Sequence, residues 1–590
     1  MVNRESIVAP DSRCCTPILD LSSLNATLTF SGLFILAFGF ISLKIKQHWY
    51  LGEALPAFVI GVILGPFCAN FINIRNWSDQ DEEGEIAYGL TRLVIGIQMV
   101  KVGYELPKRY LRQRLMELTI CLLPLMTLQW LATSACILLM VPRLSFLSAL
   151  IIGSCVICID PILSQAIAKG PFADKYVRRH LREFISAEAG GNDGFGFPFL
   201  LLSVAILRYA DVDPDSPDLR RRDWIGETNT GRFGGDIKQA LAHWAVEGVL
   251  YMIILGSGYG LLVGFLSRKG INLASRRRWV DKECFCLFPV AIGLFLVGTC
   301  GCFGTDETLA CFIAGCSLNW DGLYHSELEA RHDSFNLAIE TVLNFGTFIF
   351  IGLSMPWDQM NMPHATGISI PRLITLGILI LLFRRIPAVM LGYRFMPKVC
   401  SSWREALFMG YFGPIGKWRV PLAVYNQANG GRGGSDLLCG ICTSTAARSR
   451  PERCGDQPSD SGDGSWYGPI RRWMTTTNSI SVVYWLVFFS IVVHGLSIPA
   501  LNGVYRWFQV PIIRDHPVEV LLLSENEPLP NNSTVDRPGH FVINNRFSCL
   551  SDRPELPDLS EEMSLEAQDF GSAEQSTKRS SRQVENIYTA

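Results

Sequence analysis

Several acidic residues of this chain lie inside apolar runs. A charge at the centre of a membrane helix costs about 2.5–3.5 kcal/mol on insertion scales, so each such residue needs a partner, a cavity or a task. The most informative are Asn192 and Asp193, within Ala187-Glu-Ala-Gly-Gly-Asn-Asp-Gly-Phe-Gly-Phe-Pro198. The small residues let backbones approach closely, and Pro198 adds a kink. Desolvation favours the protonated carboxyl, and the same oxygens suit a hard cation. Asp193 therefore reads as a group that binds H⁺ and a monovalent cation in turn, with Asn192 beside it. The alternative, an Asn-Asp-Gly turn between two helices, fails on the apolar residues that flank it.

Asp160 stands immediately before Pro161 in the run 151–168. Proline removes a backbone donor and disfavours helix in the residue before it, so the helix is expected to break there. The break exposes carbonyls and amides that can face a cation, with capping of the restarted half-helix as the blander use of Asp160. Glu188 lies five residues before Asp193, about 140° round the helix, so it reads as a partner for a basic residue. Arg384 and Arg385, in Leu381-Leu-Phe-Arg-Arg-Ile-Pro387, are the intramembrane candidates; the other reading has both arginines snorkelling to an interface. Thr305, Asp306 and Glu307, in Gly304-Thr-Asp-Glu-Thr-Leu-Ala310, either line an ion path or sit in a short loop.

These residues need a bilayer to bury them, and the composition supplies one. Hydrophobic residues make up 49% of the 590 and charged residues 18%, and the mean hydropathy is +0.24. Soluble domains carry about a quarter charged residues. At roughly 20 apolar residues per crossing, about thirteen spans are expected. They lie near 27–45, 51–71, 86–104, 115–140, 145–168, 182–208, 241–266, 285–302, 303–321, 336–355, 370–392, 404–424 and 480–506. The division at 302/303 is the least marked. A net charge of −2 points to no nucleic acid. Many of the 18 cysteines lie in apolar runs, where a thiol packs as a small hydrophobe. Neither a metal cluster nor a cofactor motif is evident, and no H-E-x-x-H, P-loop or G-x-S-x-G in context suggests an enzyme.

Basic connections (Lys44–Lys46, Lys108–Arg114, Lys169–Arg182, Arg268–Lys282) alternate with the acidic Asp79–Glu85 and Asp211–Asp218. This places the first group in the cytoplasm, residues 1–26 outside and the C-terminus inside. Residues 1–26 lack the pattern of a cleavable signal. The exchanger domain is expected over 27–506, and 507–590 reads as a disordered cytoplasmic tail that could dock regulatory proteins. Residues 417–470 dissolve into Gly, Ser, Arg and Cys without periodicity. A large loop competes there with a frameshift or retained intron.

In their order along the chain, these segments resemble the fungal plasma-membrane sodium/proton antiporters of the cation:proton antiporter superfamily. The matching segments include Leu51-Gly-Glu-Ala-Leu-Pro56, Val102-Gly-Tyr-Glu-Leu-Pro107, Ile159-Asp-Pro-Ile-Leu163, Ser186–Phe199, Thr305–Phe312, Phe383–Ala388, Trp403–Gly416 and Val492-Val-His-Gly-Leu-Ser-Ile-Pro499. The resemblance implies an all-α polytopic fold of about thirteen transmembrane helices. In it, an inverted repeat carries discontinuous crossing helices, broken here at Pro161 and at Gly413-Pro414. A dimerisation domain, hence a homodimer, and a moving core domain are implied as well. Asp193 with Asn192 would bind the ion, Asp160 would belong to the crossing, and Asp306 and Glu307 would influence transport. Glu188 would bridge to Arg384 or Arg385. The family usually has Thr before the Asp-Pro; here Ile159 takes its place. The family's apolar half-helix after Gly416 is also missing.

The expected function is secondary antiport at the plasma membrane by alternating access. Na⁺, with K⁺ or Li⁺, would compete with H⁺ for Asp193. A transport-deficient sensor or scaffold signalling through its tail is the alternative.

Overall fold

The computed structural model describes residues 23–72, 83–142, 144–169, 171–209, 237–330, 334–363, 367–415 and 479–510, and three short strands beyond them. Residues 1–22 and 416–478, which hold most of the expected outer segment and the irregular stretch 417–470, lie outside the described residues.

Every expected window carries a helix. The first three are α1 (Ser23–Leu43), α2 (Ala54–Leu64) and α3 (Glu83–Tyr104). Next comes α4 (Leu115–Met140), which passes through a wide π-helical turn at Cys121–Leu125 around Pro124. A proline cannot donate to the ladder, and the widened turn accommodates it. The following window splits into α5 (Phe146–Val156) and α6 (Pro161–Lys169), and α7 (Arg179–Tyr209) runs unbroken for 31 residues. Then follow α8 (Ile237–Arg276), α9 (Lys282–Phe303), α10 (Glu307–Leu318) and α11 (Ser334–Leu353). The last four are α12 (Ile370–Phe383), α13 (Ile386–Gly392), α14 (Trp403–Tyr411) and α15 (Ser479–Trp507).

Local chemistry sets the boundaries. The Ser145 hydroxyl accepts from Ser148 N–H at 3.1 Å and caps α5. Ser402 caps α14 while Glu405 reaches back to the Ser401 N–H, so two orphan donors are satisfied together. The least marked division is sharp in the structure. Gly304 ends α9 at φ 71°, a left-handed conformation open to glycine, and Asp306 starts α10.

Three seams are packed backbone to backbone. Gly61 of α2 meets Ile349 of α11; Gly103 of α3 meets Phe312 and Gly315 of α10; Gly260 and Gly264 of α8 lie on Ala310 and Ala314 of α10. Small residues at i, i+4 spacing permit this approach without any hydrophobic drive between helices. A second group comprises α4, α5, α7, α12 and α15, with α4 on α5 and α12, and α7 on α5, α6 and α10.

Beyond residue 510, the described residues of the tail are three short strands. Strands β1 (Val518–Leu521), β2 (Ser533–Arg537) and β3 (His540–Ile543) pair antiparallel in the order β1-β3-β2. Val-Glu-Val-Leu and His-Phe-Val-Ile are rich in strand-forming residues.

Candidate ion-exchange site

Two chain breaks meet at the middle of the second helix group. After α5 the chain is extended at Ile159 and Asp160; after α14 it is extended over 412–415. Ile159 and Ile415 pair as an isolated antiparallel bridge, and the Asp160 N–H donates to the Pro414 carbonyl at 2.9 Å. Pro161, Gly413 and Pro414 lie at these breaks. Asp160 also caps α6, accepting the Ile162 N–H at 3.1 Å. The capping and crossing roles coexist in one residue.

The crossing was expected to leave carbonyls open. The structure instead fills it with a side chain. Arg384 Nη1 donates to the Val156 carbonyl at 2.7 Å, and its Nη2 donates to the Gly413 carbonyl. One guanidinium therefore holds the C-terminal ends of α5 and α14, where carbonyl dipoles converge.

Arg385 turns the other way. Its Nη1 and Nη2 reach Glu188 Oε1 and Oε2 at 2.9 and 2.8 Å, and its Nε donates to the Met409 carbonyl at 2.9 Å. The sequence left the partner of Glu188 open between two arginines; it is Arg385. Both arginines are buried, at 4% and 2% exposure, so neither snorkels to an interface.

Asp193 is fully buried at 0% exposure near the midpoint of α7, and Asn192 precedes it. The unbroken helix rules out a turn at Asn-Asp-Gly. The Asn192 Oδ1 accepts the Ile159 N–H at 3.2 Å, which ties α7 to the crossing, and the Asn192 carbonyl lies 3.4 Å from Cys158 Sγ. Ile159 makes this contact through its backbone, independently of the side chain at that position. The glycines around Asp193 bring neighbours close. A Cβ on Gly194 would lie 2.7 Å from Asp306 Oδ2, and one on Gly190 would meet the Phe312 ring at 2.5 Å.

Asp306 is the cap of α10, accepting from Thr308 N–H at 2.9 Å and Leu309 N–H at 3.3 Å. Thr305 Oγ1 donates to the Tyr251 carbonyl of α8 at 2.8 Å. Glu307 is held by Arg92 of α3, with contacts of 2.8 and 2.5 Å. Asp306 therefore abuts α7 one residue from Asp193, whereas Glu307 faces α3. Arg92 was missed in the sequence; a lone arginine in the otherwise apolar stretch 90–100 was its signal.

The sodium/hydrogen exchanger transmembrane family model matches residues 32–502, most of the chain. The chain belongs to the sodium/hydrogen exchanger family. Among other members, it is 32% identical over 410 residues to Na(+)/H(+) antiporter 2 of Zygosaccharomyces rouxii. It is also 32% identical over 406 residues to a Na(+)/H(+) antiporter of Saccharomyces cerevisiae, and 33% identical over 481 to a probable Na(+)/H(+) antiporter of Schizosaccharomyces pombe. These alignments cover 70%, 69% and 81% of this exchanger-family chain but only 47%, 38% and 56% of the relatives. The chain thus spans about half the length of these curated relatives. The solved sodium proton antiporter MjNhaP1 of Methanocaldococcus jannaschii superposes with a TM-score of 0.50 at 15% identity, over 81% of this chain and all of that one. The fold is therefore the polytopic, inverted-repeat architecture with crossing discontinuous helices that the resemblance implied.

Proposed function

We propose that this chain is a secondary antiporter that exchanges Na⁺ for H⁺, with K⁺ or Li⁺ as further candidate cargo, through Asp193. The observation that carries this reading is the tie between Asn192 Oδ1 and the Ile159 N–H. It sets the Asn192–Asp193 pair of an unbroken, buried helix directly against the meeting point of two broken ones. A carboxylate there has oxygens for a hard cation, and a proton binds the same oxygens, so the two cargoes exclude each other.

In the proposed cycle Asp193 releases its proton on one side of the membrane and takes up the cation there. The helices carrying it then move relative to the α2–α3–α10–α11 group, and a proton displaces the cation on the other side. With only Asp193 titrating, exchange is electroneutral; participation of Asp160 or Asp306 would make it respond to voltage. The names of the relatives support sodium as the cation, their fungal origin is in keeping with a plasma-membrane setting, and the alternation of basic and acidic connections supports an N-terminus outside.

The test is pH-gradient dissipation in proteoliposomes on adding Na⁺, K⁺ or Li⁺, for the wild type beside Asp193→Asn. Cation-dependent dissipation that vanishes in Asp193→Asn is the expected result. A folded wild type that gives no cation response would overturn the reading.

A further inference from the structure

His494 is on α15, one turn after Ser490, and both are buried. With Arg384, Arg385, Tyr411 and Gly413 they border a small cavity behind the crossing. His494 Nε2 lies 3.2 Å from the Tyr411 carbonyl, while Nδ1 lies 3.1 Å from Ser490 Oγ and 3.0 Å from the Ser490 carbonyl. A carbonyl can only accept, and each ring nitrogen faces one. With the proton on Nε2 the ring donates to Tyr411 and Nδ1 accepts the Ser490 hydroxyl; with it on Nδ1 the ring donates to Ser490, so His494 and Ser490 are joined in either tautomer. Ser490 Oγ in turn accepts the Ile415 N–H at 2.6 Å.

One imidazole thus holds both ends of the extended stretch 412–415. It grips Tyr411, the last residue of α14, directly, and it grips Ile415 through Ser490. Tyr411 is fixed a second time, because its hydroxyl meets Ser497 Oγ of α15 at 2.5 Å. Ile415 is the residue that pairs with Ile159, and Ile159 is the residue whose N–H orients the Asn192 amide. The series from His494 through Ser490, Ile415 and Ile159 to Asn192 crosses the site from α15 to α7.

We propose that His494 is a positioning residue for the cation site: through Ser490 and the Ile415–Ile159 bridge it sets the amide of Asn192 beside Asp193. This rests on the reading of Asp193 as the exchanging carboxylate. His494 touches neither Asp193 nor Asn192, so its effect falls on how well the cation is held. A hydrophobe of similar size would fill the space but leave the Tyr411 carbonyl with the Gly413 N–H alone and Ser490 Oγ with the Ile415 N–H alone. Glutamine can supply one donor and one acceptor in place of the two ring nitrogens.

The experiment measures initial rates of Na⁺-driven proton movement against Na⁺ concentration in proteoliposomes. It uses the full chain as wild type, His494→Leu, His494→Gln, Ser490→Ala and the His494→Leu/Ser490→Ala double variant. Loss of one such hydrogen bond corresponds to a KM raised about five- to tenfold in His494→Leu and in Ser490→Ala. The maximal rate should change less than about twofold, His494→Gln should stay near wild type, and the double variant should fall short of the product of the two single effects, because Ser490 lies between His494 and Ile415. An active wild type whose KM is unmoved by both substitutions overturns the proposal, as does a fallen maximal rate at unchanged KM or a double variant with additive effects. If His494→Leu fails to fold, Ser490→Ala and His494→Gln decide between the same outcomes. A wild type without cation-driven proton movement defeats the parent reading and this proposal with it.

Discussion

Arg385 grips Glu188 through two parallel hydrogen bonds of 2.9 and 2.8 Å, joining α7 to the junction of α12 and α13 inside the protein. Removing one partner of a buried pair leaves an uncompensated charge and costs about 3–5 kcal/mol. Arg385→Met and Glu188→Leu should each lower the melting temperature of the detergent-solubilised protein. The double variant should be milder than Arg385→Met alone. A double variant worse than both singles would contradict the pairing.

The neighbouring arginine makes a different prediction. Arg384 bonds the carbonyls of Val156 and Gly413, so Arg384→Gln leaves two helix C-termini facing each other with one short side chain between them. Exchange measured by pH-gradient dissipation should fall about tenfold or more, since two charge-assisted hydrogen bonds contribute about 1.5–3 kcal/mol each. Arg384→Lys should retain part of the rate, because an ammonium keeps the charge but lacks the planar fork. Equal rates in wild type and Arg384→Gln would exclude a role for the crossing contact.

Two glycine substitutions should have opposite signs. A Cβ on Gly315 would press into α3, with the Gly103 Cα only 3.0 Å away, so Gly315→Ala should destabilise by about 1–3 kcal/mol. Gly346 of α11 has nothing within 4 Å of its added Cβ, so Gly346→Ala should stabilise by about 0.5–1 kcal/mol. Thermal unfolding of the two variants side by side tests both statements.

Glu307 is paired with an arginine whose side chain is 21% exposed, against 2% for Arg385. The pair at Glu307 is less enclosed by the protein, so Glu307→Gln should cost about 1–2 kcal/mol, less than Glu188→Gln. Comparing the two melting temperatures checks the order, and a reversal would contradict it.

The sequence reveals the break at Asp160-Pro161 because proline acts locally, and it reveals Asp193 because a carboxylate in an apolar run stands out. It gives the helical windows for the same reason. It could not choose between Arg384 and Arg385: adjacent residues on a chain bend project differently, and only the packing of α7 against α14 decides which one meets Glu188. It expected open carbonyls at the crossing because local rules describe a broken helix without the side chain that fills it. His494 stood in the sequence only as part of a matching segment, its partners being 83 residues away at Tyr411 as well as one turn away at Ser490.

The face of α7 that meets α10 has glycine at 190 and 194, opposite Phe312, Leu309 and Asp306. Interlocking of ridges and grooves needs side chains on both surfaces, and at these two positions one surface has none. The contact is therefore a pair of notches filled by α10 side chains, not two interlocked ridges. In the proposed cycle, a shift of α7 past α10 has to lift Phe312 and Leu309 out of those notches. A side chain added at Gly190 or Gly194 would occupy a notch and push the two helices apart.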